Sequence, residues 1–229
     1  MKYGIIGAME EEIDIILQQM NDYQKYVVAN CMFYKGNIEN QEVILLQSGI
    51  GKVNAAMGTT ILIERFQPDV VINTGSAGGF DKALNVGDVV ISSEVVHHDV
   101  DVTGFDYELG QVPRMPVTFT ANPQLIKKIE AILHDMKVNS KIGLIGTGDV
   151  FMNNPERINK VLHSFPEMLA AEMEGAAIAQ VCYQYHIPFV IIRALSDIAG
   201  TESSISFNEF LPLAAKNSAH LILQFIQQQ

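Results

Sequence analysis

Pro188-Phe-Val-Ile-Ile-Arg193-Ala-Leu-Ser-Asp197 is the stretch of sequence that predicts the fold and the site together. Four apolar residues follow the proline, a pattern typical of a buried strand. Arg193, Ser196 and Asp197 come where that strand should end. A charged side chain is costly to bury unless it is paired, and α/β proteins bind ligands at the carboxyl ends of their strands. We therefore expect a reactive site at this strand end, with a buried ion pair of no catalytic role as the alternative.

Working outward from this strand, short apolar runs alternate with segments of helical period along the whole chain. Strands are predicted over residues 3–7, 32–38, 42–47, 68–74, 87–92, 141–145, 169–172 and 188–197. Helices are predicted over residues 10–20, 53–66, 122–136, 155–165, 173–185 and 207–227. Residues 75–79 and 99–120 are predicted as loops. This order predicts an α/β protein with a parallel or mixed sheet, and no linker divides residues 1–229, so we expect a single domain.

Composition narrows the class of protein. The 229 residues carry a net charge of −11, which argues against nucleic acid or an anionic membrane as the main partner, because both require a basic surface. Charged residues make up 18%, below the usual ~25%, so part of the surface is expected to be an oligomer interface. No apolar stretch approaches the roughly 20 residues of a membrane span. Cys31 and Cys182 lie among apolar neighbours and are expected to be reduced core residues of a cytoplasmic protein.

The sequence contains no complete phosphate-binding, dinucleotide-binding or metal-binding motif. Gly49-Ile-Gly-Lys52 resembles the end of a phosphate-binding loop, but Val53 stands where Ser or Thr is required. Gly4 and Gly7 do not complete a dinucleotide-binding turn. The run from His97 to Asp101 has metal-ligating residue types, but neighbours on a strand point to opposite faces, so a strand end near an interface is the better interpretation. We expect no cofactor and no metal.

Three acidic clusters remain, and each follows a predicted strand: Glu10-Glu-Glu12, Glu172-Met-Glu174, and Asp197 beside Arg193. Each has a structural alternative, because acidic residues in a first helical turn complement the helix dipole. Their joint placement favours a shared crevice. Two carboxyl groups in one pocket suit glycosidic bond cleavage, one as acid and one as base. A purine leaves well only when a ring nitrogen is protonated, which requires a carboxyl group whose pKa burial has raised; Asp197 fits that requirement.

Five motifs then stand in order with family-like spacing: Gly4-Ile-Ile-Gly-Ala-Met-Glu-Glu-Glu12, Ser48-Gly-Ile-Gly-Lys52, Asn73-Thr-Gly-Ser-Ala-Gly78, Glu172-Met-Glu174 and Arg193-Ala-Leu-Ser-Asp197. Together they resemble the 5′-methylthioadenosine/S-adenosylhomocysteine nucleosidases, over nearly the whole chain. The resemblance implies a single-domain three-layer α/β/α fold of the nucleoside phosphorylase type, with a central mixed, twisted sheet flanked by helices. It also implies cleavage of adenine from methylthioadenosine, adenosylhomocysteine and 5′-deoxyadenosine, in methionine salvage and methyl-cycle recycling.

The resemblance also implies roles for individual residues. Asp197 would protonate adenine at N7 with Ser196 positioning it, and Glu12 would activate the attacking water. The other implied substrate-binding residues are Met9, Ile50, Ser76, Gly78, Phe151, Met152, Met173, Glu174 and Phe207. Family members are homodimers, and the partner subunit would complete the pocket for the 5′ substituent with Val102, Phe105 and Pro113. Glu172 and Arg193 are expected to pair and to brace the site.

Two rival functions stay open. A nucleoside phosphorylase would need an arginine cluster for phosphate, yet of Arg65, Arg114, Arg157 and Arg193 only the last lies at a candidate site. Glu12 would also repel a phosphate anion beside the anomeric carbon. A nucleoside-binding sensor would need the pocket but would have no use for two poised carboxyl groups. Water is therefore the favoured nucleophile.

Overall fold

The computed structural model describes residues 1–198 and 203–229, and the side chains of residues 1–198 and 209–229. Within these residues it has ten strands and six α helices. The strands are β1 (Lys2–Gly7), β2 (Asn21–Val28), β3 (Cys31–Ile38), β4 (Gln41–Gln47), β5 (Val70–Gly79), β6 (Val89–His97), β7 (Phe119–Thr120), β8 (Ser140–Thr147), β9 (Met168–Glu172) and β10 (Phe189–Ile198). The helices are α1 (Glu10–Leu17), α2 (Lys52–Phe66), α3 (Pro123–Asp135), α4 (Pro155–Ser164), α5 (Gly175–Tyr185) and α6 (Ser203–Gln227).

All ten strands belong to one mixed sheet, in the order β10-β6-β8-β9-β5-β1-β4-β3-β2, with β7 paired to β6. Strands β4, β1, β5 and β10 run parallel to their neighbours in this group. Strand β5 pairs with β10 as well as with β9, so β5, β10, β6, β8 and β9 close into a ring. The predicted mixed sheet is confirmed, and its closure brings the ends of several strands close together.

Two groups of helices pack against this sheet. Helix α6 contacts α1, α3, β5 and β10, whereas α2 packs with α5. Strands covered on both faces read as continuous apolar runs rather than as alternating ones. Residues 189–192 of β10 are of this kind, and all four are buried. The predicted α/β class with helices flanking a central sheet is therefore confirmed.

Besides shifted element ends, such as β6 continuing through residues 93–97 beyond the predicted strand 87–92, three stretches differ from the sequence-based prediction. Residues 75–79, predicted as a loop, continue β5, because β9 and β10 supply backbone partners as far as Gly79. Strand β2 was not predicted, since this edge strand is exposed along residues 21–27 and has no buried face to create a pattern. Residues 99–120 are mostly irregular, as predicted, but contain a short 3₁₀ turn at Thr103–Phe105 and the strand β7.

Both cysteines are buried and free, which confirms their predicted place in the core. In the described residues, no helix combines the length and the apolar character needed to cross a membrane.

Candidate active site

A cavity of about 350 Å³ opens where the ends of β1, β5, β9 and β10 converge. Twelve residues proposed from the sequence line this cavity: Met9, Glu12, Ile50, Ser76, Gly78, Phe151, Glu172, Met173, Glu174, Arg193, Ser196 and Asp197. Small residues that the sequence did not single out complete its wall, namely Ala8, Ala77 and Ala171. The acidic clusters predicted to share a crevice therefore do share one, although β9 runs antiparallel to β5.

A β-bulge in β10 shapes the site. The pairing of β10 with β5 matches Leu195 to Ala77 and Asp197 to Gly78, which leaves Ser196 as the extra residue. A bulge breaks the alternation of side chains and re-aims them. Ser196 and Asp197, although adjacent in sequence, consequently both line the cavity.

Asp197 is buried beside Ser196, whose hydroxyl donates a hydrogen bond to the Asp197 Oδ1 atom at 2.9 Å. Burial raises the pKa of Asp197, and the Ser196 hydrogen bond opposes that effect without cancelling it. On the neighbouring strand β5, Asp197 pairs with Gly78. A Cβ atom at Gly78 would lie 3.2 Å from Asp197 Oδ2, so the glycine leaves room for this carboxyl group. Asp197 therefore has the environment expected of a carboxylic acid that donates a proton in a pocket.

Glu12 is buried and held by groups from two strand ends. Its Oε2 atom accepts from the backbone N–H groups of Ala8 at 2.8 Å and Met9 at 3.3 Å. Its Oε1 atom accepts from the backbone N–H of Ser76 at 3.0 Å and from the Ser76 hydroxyl at 3.2 Å. Glu12 therefore caps the start of α1, as its structural interpretation requires, and it also lines the cavity, where a catalytic role would place it.

Arg193 is fully buried and pairs with both carboxylates of the second acidic cluster. Its Nη2 atom lies 2.5 Å from Glu172 Oε2 and 3.3 Å from Glu174 Oε2. The same guanidinium donates to the Asn73 side chain at 2.6 Å and to the Ser76 carbonyl at 3.2 Å. The predicted Glu172–Arg193 pair is confirmed. Asn73 was noted from the sequence only as part of the motif Asn73-Thr-Gly-Ser-Ala-Gly78, and its role as a partner of Arg193 was not predicted.

Glu172 has little capacity left for a ligand. Its Oε2 atom also accepts from the backbone N–H groups of Glu174 at 3.0 Å and Gly175 at 2.7 Å, at the start of α5. Its Oε1 atom accepts from the Thr147 hydroxyl. A carboxylate whose two oxygens already accept these bonds is a brace for its neighbours. These contacts support the bracing interpretation of Glu172.

Glu174 is the more available carboxyl group. Its Oε1 atom accepts a hydrogen bond from the backbone N–H of Gly51 at 2.9 Å. Burial raises the pKa of Glu174 to about 7, because desolvation and the nearby Glu172 and Glu12 carboxylates outweigh the opposing charge of Arg193. Glu174 thus faces the cavity with a carboxyl group that keeps its proton to higher pH than an exposed glutamate would.

The loop after β8 supplies the flat apolar wall. Phe151 lines the cavity and is 38% exposed. The Met152 side chain points elsewhere: it is buried in a small separate core with Ile158, Val161 and Met168. A role for Met152 in binding would therefore use its backbone, as the resemblance implies.

Three other predicted residues, Val102, Phe105 and Pro113, do not line this cavity. Phe105 and Pro113 are exposed and Val102 is partly exposed on the loop of residues 99–120. Phe207 lies outside the residues whose side chains are described. His97 and His98 are the two histidines considered as metal ligands. The His97 Nε2 atom is hydrogen-bonded to Gln180 Oε1 at 2.9 Å. Burial lowers the pKa of both histidines.

Known proteins match this chain over its full length. The sequence model of the phosphorylase superfamily matches residues 2–227. The 5′-methylthioadenosine/S-adenosylhomocysteine nucleosidase of Oceanobacillus iheyensis is 58% identical over 228 residues, covering 100% of both chains. The nucleosidase of Colwellia psychrerythraea in complex with adenine superposes with a TM-score of 0.97 at 50% identity, covering 100% of this chain and 95% of that one. The Neisseria meningitidis nucleosidase in complex with methylthio-immucillin-A has a TM-score of 0.97 at 44% identity, covering 100% and 99%.

Proposed function

The chain belongs to the phosphorylase superfamily and, within it, to the 5′-methylthioadenosine/S-adenosylhomocysteine nucleosidases, and from this premise we infer its reaction. The protein hydrolyses the N-glycosidic bond of methylthioadenosine and adenosylhomocysteine, releasing adenine and the 5′-substituted ribose. The observation that carries this conclusion is the meeting of Glu12 and Asp197 in one cavity, with the pKa of Asp197 raised by burial. The products would enter methionine salvage and methyl-cycle recycling.

Asp197 acts as the general acid. As the bond from C1′ to N9 breaks, electron density moves into the purine ring, and a proton delivered to N7 lets adenine leave without negative charge. A carboxyl group can deliver that proton only while it is protonated, and burial favours the protonated form. Ser196 holds Asp197 in place through the bond to its Oδ1 atom.

Glu12 acts as the general base. A water molecule beside it gives up a proton to the carboxylate as its oxygen attacks C1′. The hydrogen bonds from Ala8, just after β1, and from Ser76 on β5 keep the Glu12 carboxylate in one orientation. Glu174 binds the ribose hydroxyls, Met9, Ile50 and Met173 provide apolar walls for the sugar and its substituent, and Phe151 stacks on adenine.

Water is favoured over phosphate as the nucleophile by the charges around the cavity. Arg193 is the single Lys or Arg side chain among the described residues that line it. That guanidinium already forms ion pairs with Glu172 and Glu174 and a hydrogen bond with Asn73. Among the cavity-lining residues that the structure describes, a phosphate anion would therefore meet the carboxyl groups of Glu12, Glu172 and Glu174 and no unpaired Lys or Arg, which opposes its binding.

The reaction is tested by following adenine release from methylthioadenosine, adenosylhomocysteine and 5′-deoxyadenosine, with and without inorganic phosphate. We expect adenine from all three nucleosides at rates that phosphate does not change. Strict dependence on phosphate would instead identify a phosphorylase. Tight binding of the nucleosides without any adenine release would identify a sensor.

We also propose that the protein is a homodimer in which the partner completes the 5′ pocket. Support comes from three large apolar side chains that are left exposed: Ile50, which lines the cavity, is 49% exposed, Val53 at the start of α2 77%, and Phe105 on the loop of residues 99–120 79%. Large apolar side chains left in solvent are candidates for an interaction surface. We infer a cytoplasmic location as well, a proposal supported by the two free, buried cysteines.

Replacing Phe105 with alanine should raise the KM for methylthioadenosine by roughly 10–100-fold, because burial of a phenylalanine ring against the 5′ substituent is worth roughly 1.5–3 kcal/mol. Steady-state kinetics measure the KM, and light scattering on the same samples measures whether the protein is a dimer. Tyr26→Ala is the matched control, since Tyr26 is also an exposed aromatic residue, 37% exposed, but lies on the edge strand β2. A monomeric wild type, or an unchanged KM in Phe105→Ala, would contradict the shared pocket.

A further inference from the structure

Asp99 follows the end of β6 and joins two segments that both reach the cavity, although it does not line the cavity itself. Its Oδ1 atom lies 2.6 Å from the ammonium of Lys52, the first residue of α2. Its Oδ2 atom accepts from the backbone N–H of Asp149 at 3.0 Å. The Asp149 carboxylate accepts in turn from the backbone N–H of Lys52 at 2.8 Å. These three residues, Lys52, Asp99 and Asp149, form a closed hydrogen-bonded unit that we term the Asp99 tether.

Each end of the tether is one or two residues away from a residue that lines the cavity or bonds to a residue lining it. Gly51, next to Lys52, donates its N–H to Glu174 at 2.9 Å. Gly51 has φ +95°, a conformation that favours glycine, and a Cβ atom there would lie 3.1 Å from Asp149 Oδ1. Phe151, two residues after Asp149, forms the flat wall of the cavity. The tether thus ties the ribose-side carboxyl group and the adenine-side ring to one another.

Close contacts and a hydrogen bond hold the backbone of the turn at Gly148 in place. A Cβ atom at Gly148 would lie 2.4 Å from His98 Cε1 and 3.2 Å from Asp99 Cγ, so the backbone rests directly on these two side chains. The Gly148 N–H donates to the Glu172 carbonyl at 3.1 Å. The His98 ring supports the turn by contact, while Asp99 fixes its position with an ion pair and a hydrogen bond.

Asp99 is charged and only partly exposed, as a tether requires. The side chains of Lys52 and Asp99 are 20% and 24% exposed. Burial raises the pKa of Asp99, but the Lys52 ammonium and the Asp149 N–H outweigh it and hold that pKa below its usual range. Charge-assisted bonds of this kind are stronger and more directional than those between neutral groups.

We propose that Asp99 is a positioning residue for the nucleosidase reaction. It acts through Lys52 and through the turn at Gly148 and Asp149, and so places Phe151 against adenine and Gly51 against Glu174. The inference rests on the function proposed above. Contacts to the adenine face and to the ribose exist in the substrate complex as well as in the transition state. Loss of an interaction that is equal in both states raises KM and leaves kcat unchanged.

Asp99→Ala should therefore raise the KM for methylthioadenosine and the dissociation constant of free adenine by about tenfold, with kcat within about threefold of wild type. Lys52→Met removes one of the two contacts and should give a smaller increase, and Lys52→Arg, which keeps the charge, should stay near wild type. Because both residues act through one unit, the double variant Asp99→Ala/Lys52→Met should be no worse than Asp99→Ala alone. Calorimetry with adenine and steady-state kinetics provide the measurements.

Lys35→Met is the matched control, since Lys35 forms an ion pair with Glu42 at 3.2 Å on β3 and β4, outside the cavity. Thermal unfolding and mass in solution show whether each variant is folded and assembled. Unchanged adenine affinity in a folded Asp99→Ala protein would overturn the proposal, and so would additive effects of Asp99→Ala and Lys52→Met. Absence of adenine release by the wild type would refute the proposed function instead, while adenine calorimetry would still decide whether Asp99 positions the loop.

Discussion

Asp197→Asn is expected to lower kcat by roughly 10²–10⁴-fold, the usual contribution of a positioned acid, while the affinity for adenine changes little. The amide has nearly the same shape and can keep the bond to Ser196, but it cannot deliver a proton to N7. Steady-state kinetics with methylthioadenosine and calorimetry with adenine separate the loss of chemistry from a loss of binding. Asp135→Asn, the same change at an exposed position at the end of α3, serves as control.

The dependence of kcat on pH adds a second readout for Asp197. An acid must be protonated to act, so wild-type kcat should fall as pH rises through the pKa of Asp197. Because burial raises that pKa, the active range extends to higher pH than an exposed aspartate would allow. The residual activity of Asp197→Asn should lack this alkaline limb. Near-normal turnover in the variant would refute the acid role.

Glu12→Gln should also lower kcat by roughly 10²–10⁴-fold, because an amide cannot accept the proton of the attacking water. A stability cost is expected in addition. All four hydrogen bonds at Glu12 come from N–H or O–H donors, so the glutamine NH₂ group must face donors on one side. A mismatched buried group of this kind costs about 1–3 kcal/mol.

Unfolding in denaturant measures that cost, and kinetics at a temperature where the Glu12→Gln protein is fully folded measure the chemistry. Glu11→Gln, an exposed neighbour on the same helix, controls for the loss of one carboxylate from α1. If a folded Glu12→Gln protein hydrolysed methylthioadenosine at the wild-type rate, Glu12 would be only a helix cap.

The site residues were easier to predict from the sequence than the geometry that joins them. Glu12, Glu174 and Asp197 follow apolar runs that read clearly as strands, so their arrival in one cavity could be expected. The bulge at Ser196 could not, because it depends on the pairing of β10 with β5. The extension of β5 through Gly79 was missed for the same reason, since glycines favour a loop until neighbouring strands supply their hydrogen bonds.

Contacts between residues that are far apart in sequence explain the other features that the sequence did not predict. The ring of five strands follows from the pairing of β5 with both β9 and β10, which no local pattern contains. Asn73 looks like one polar residue within an apolar strand until Arg193 arrives beside it from β10. The run from His97 to Asp101 suggested a metal site or an interface, whereas Asp99 bonds to Lys52 and Asp149, which lie 47 and 50 residues away in sequence.

The central claim, that water attacks C1′ of an adenosine thioether while adenine leaves, is tested most directly with isotopically labelled water. The purified protein is incubated with methylthioadenosine in phosphate-free buffer made with heavy-oxygen water, and the products are analysed by mass spectrometry under conditions of a single turnover. We predict adenine and a methylthioribose that carries one heavy oxygen atom. An absence of both products until phosphate is added, with a sugar phosphate then formed, would contradict the account.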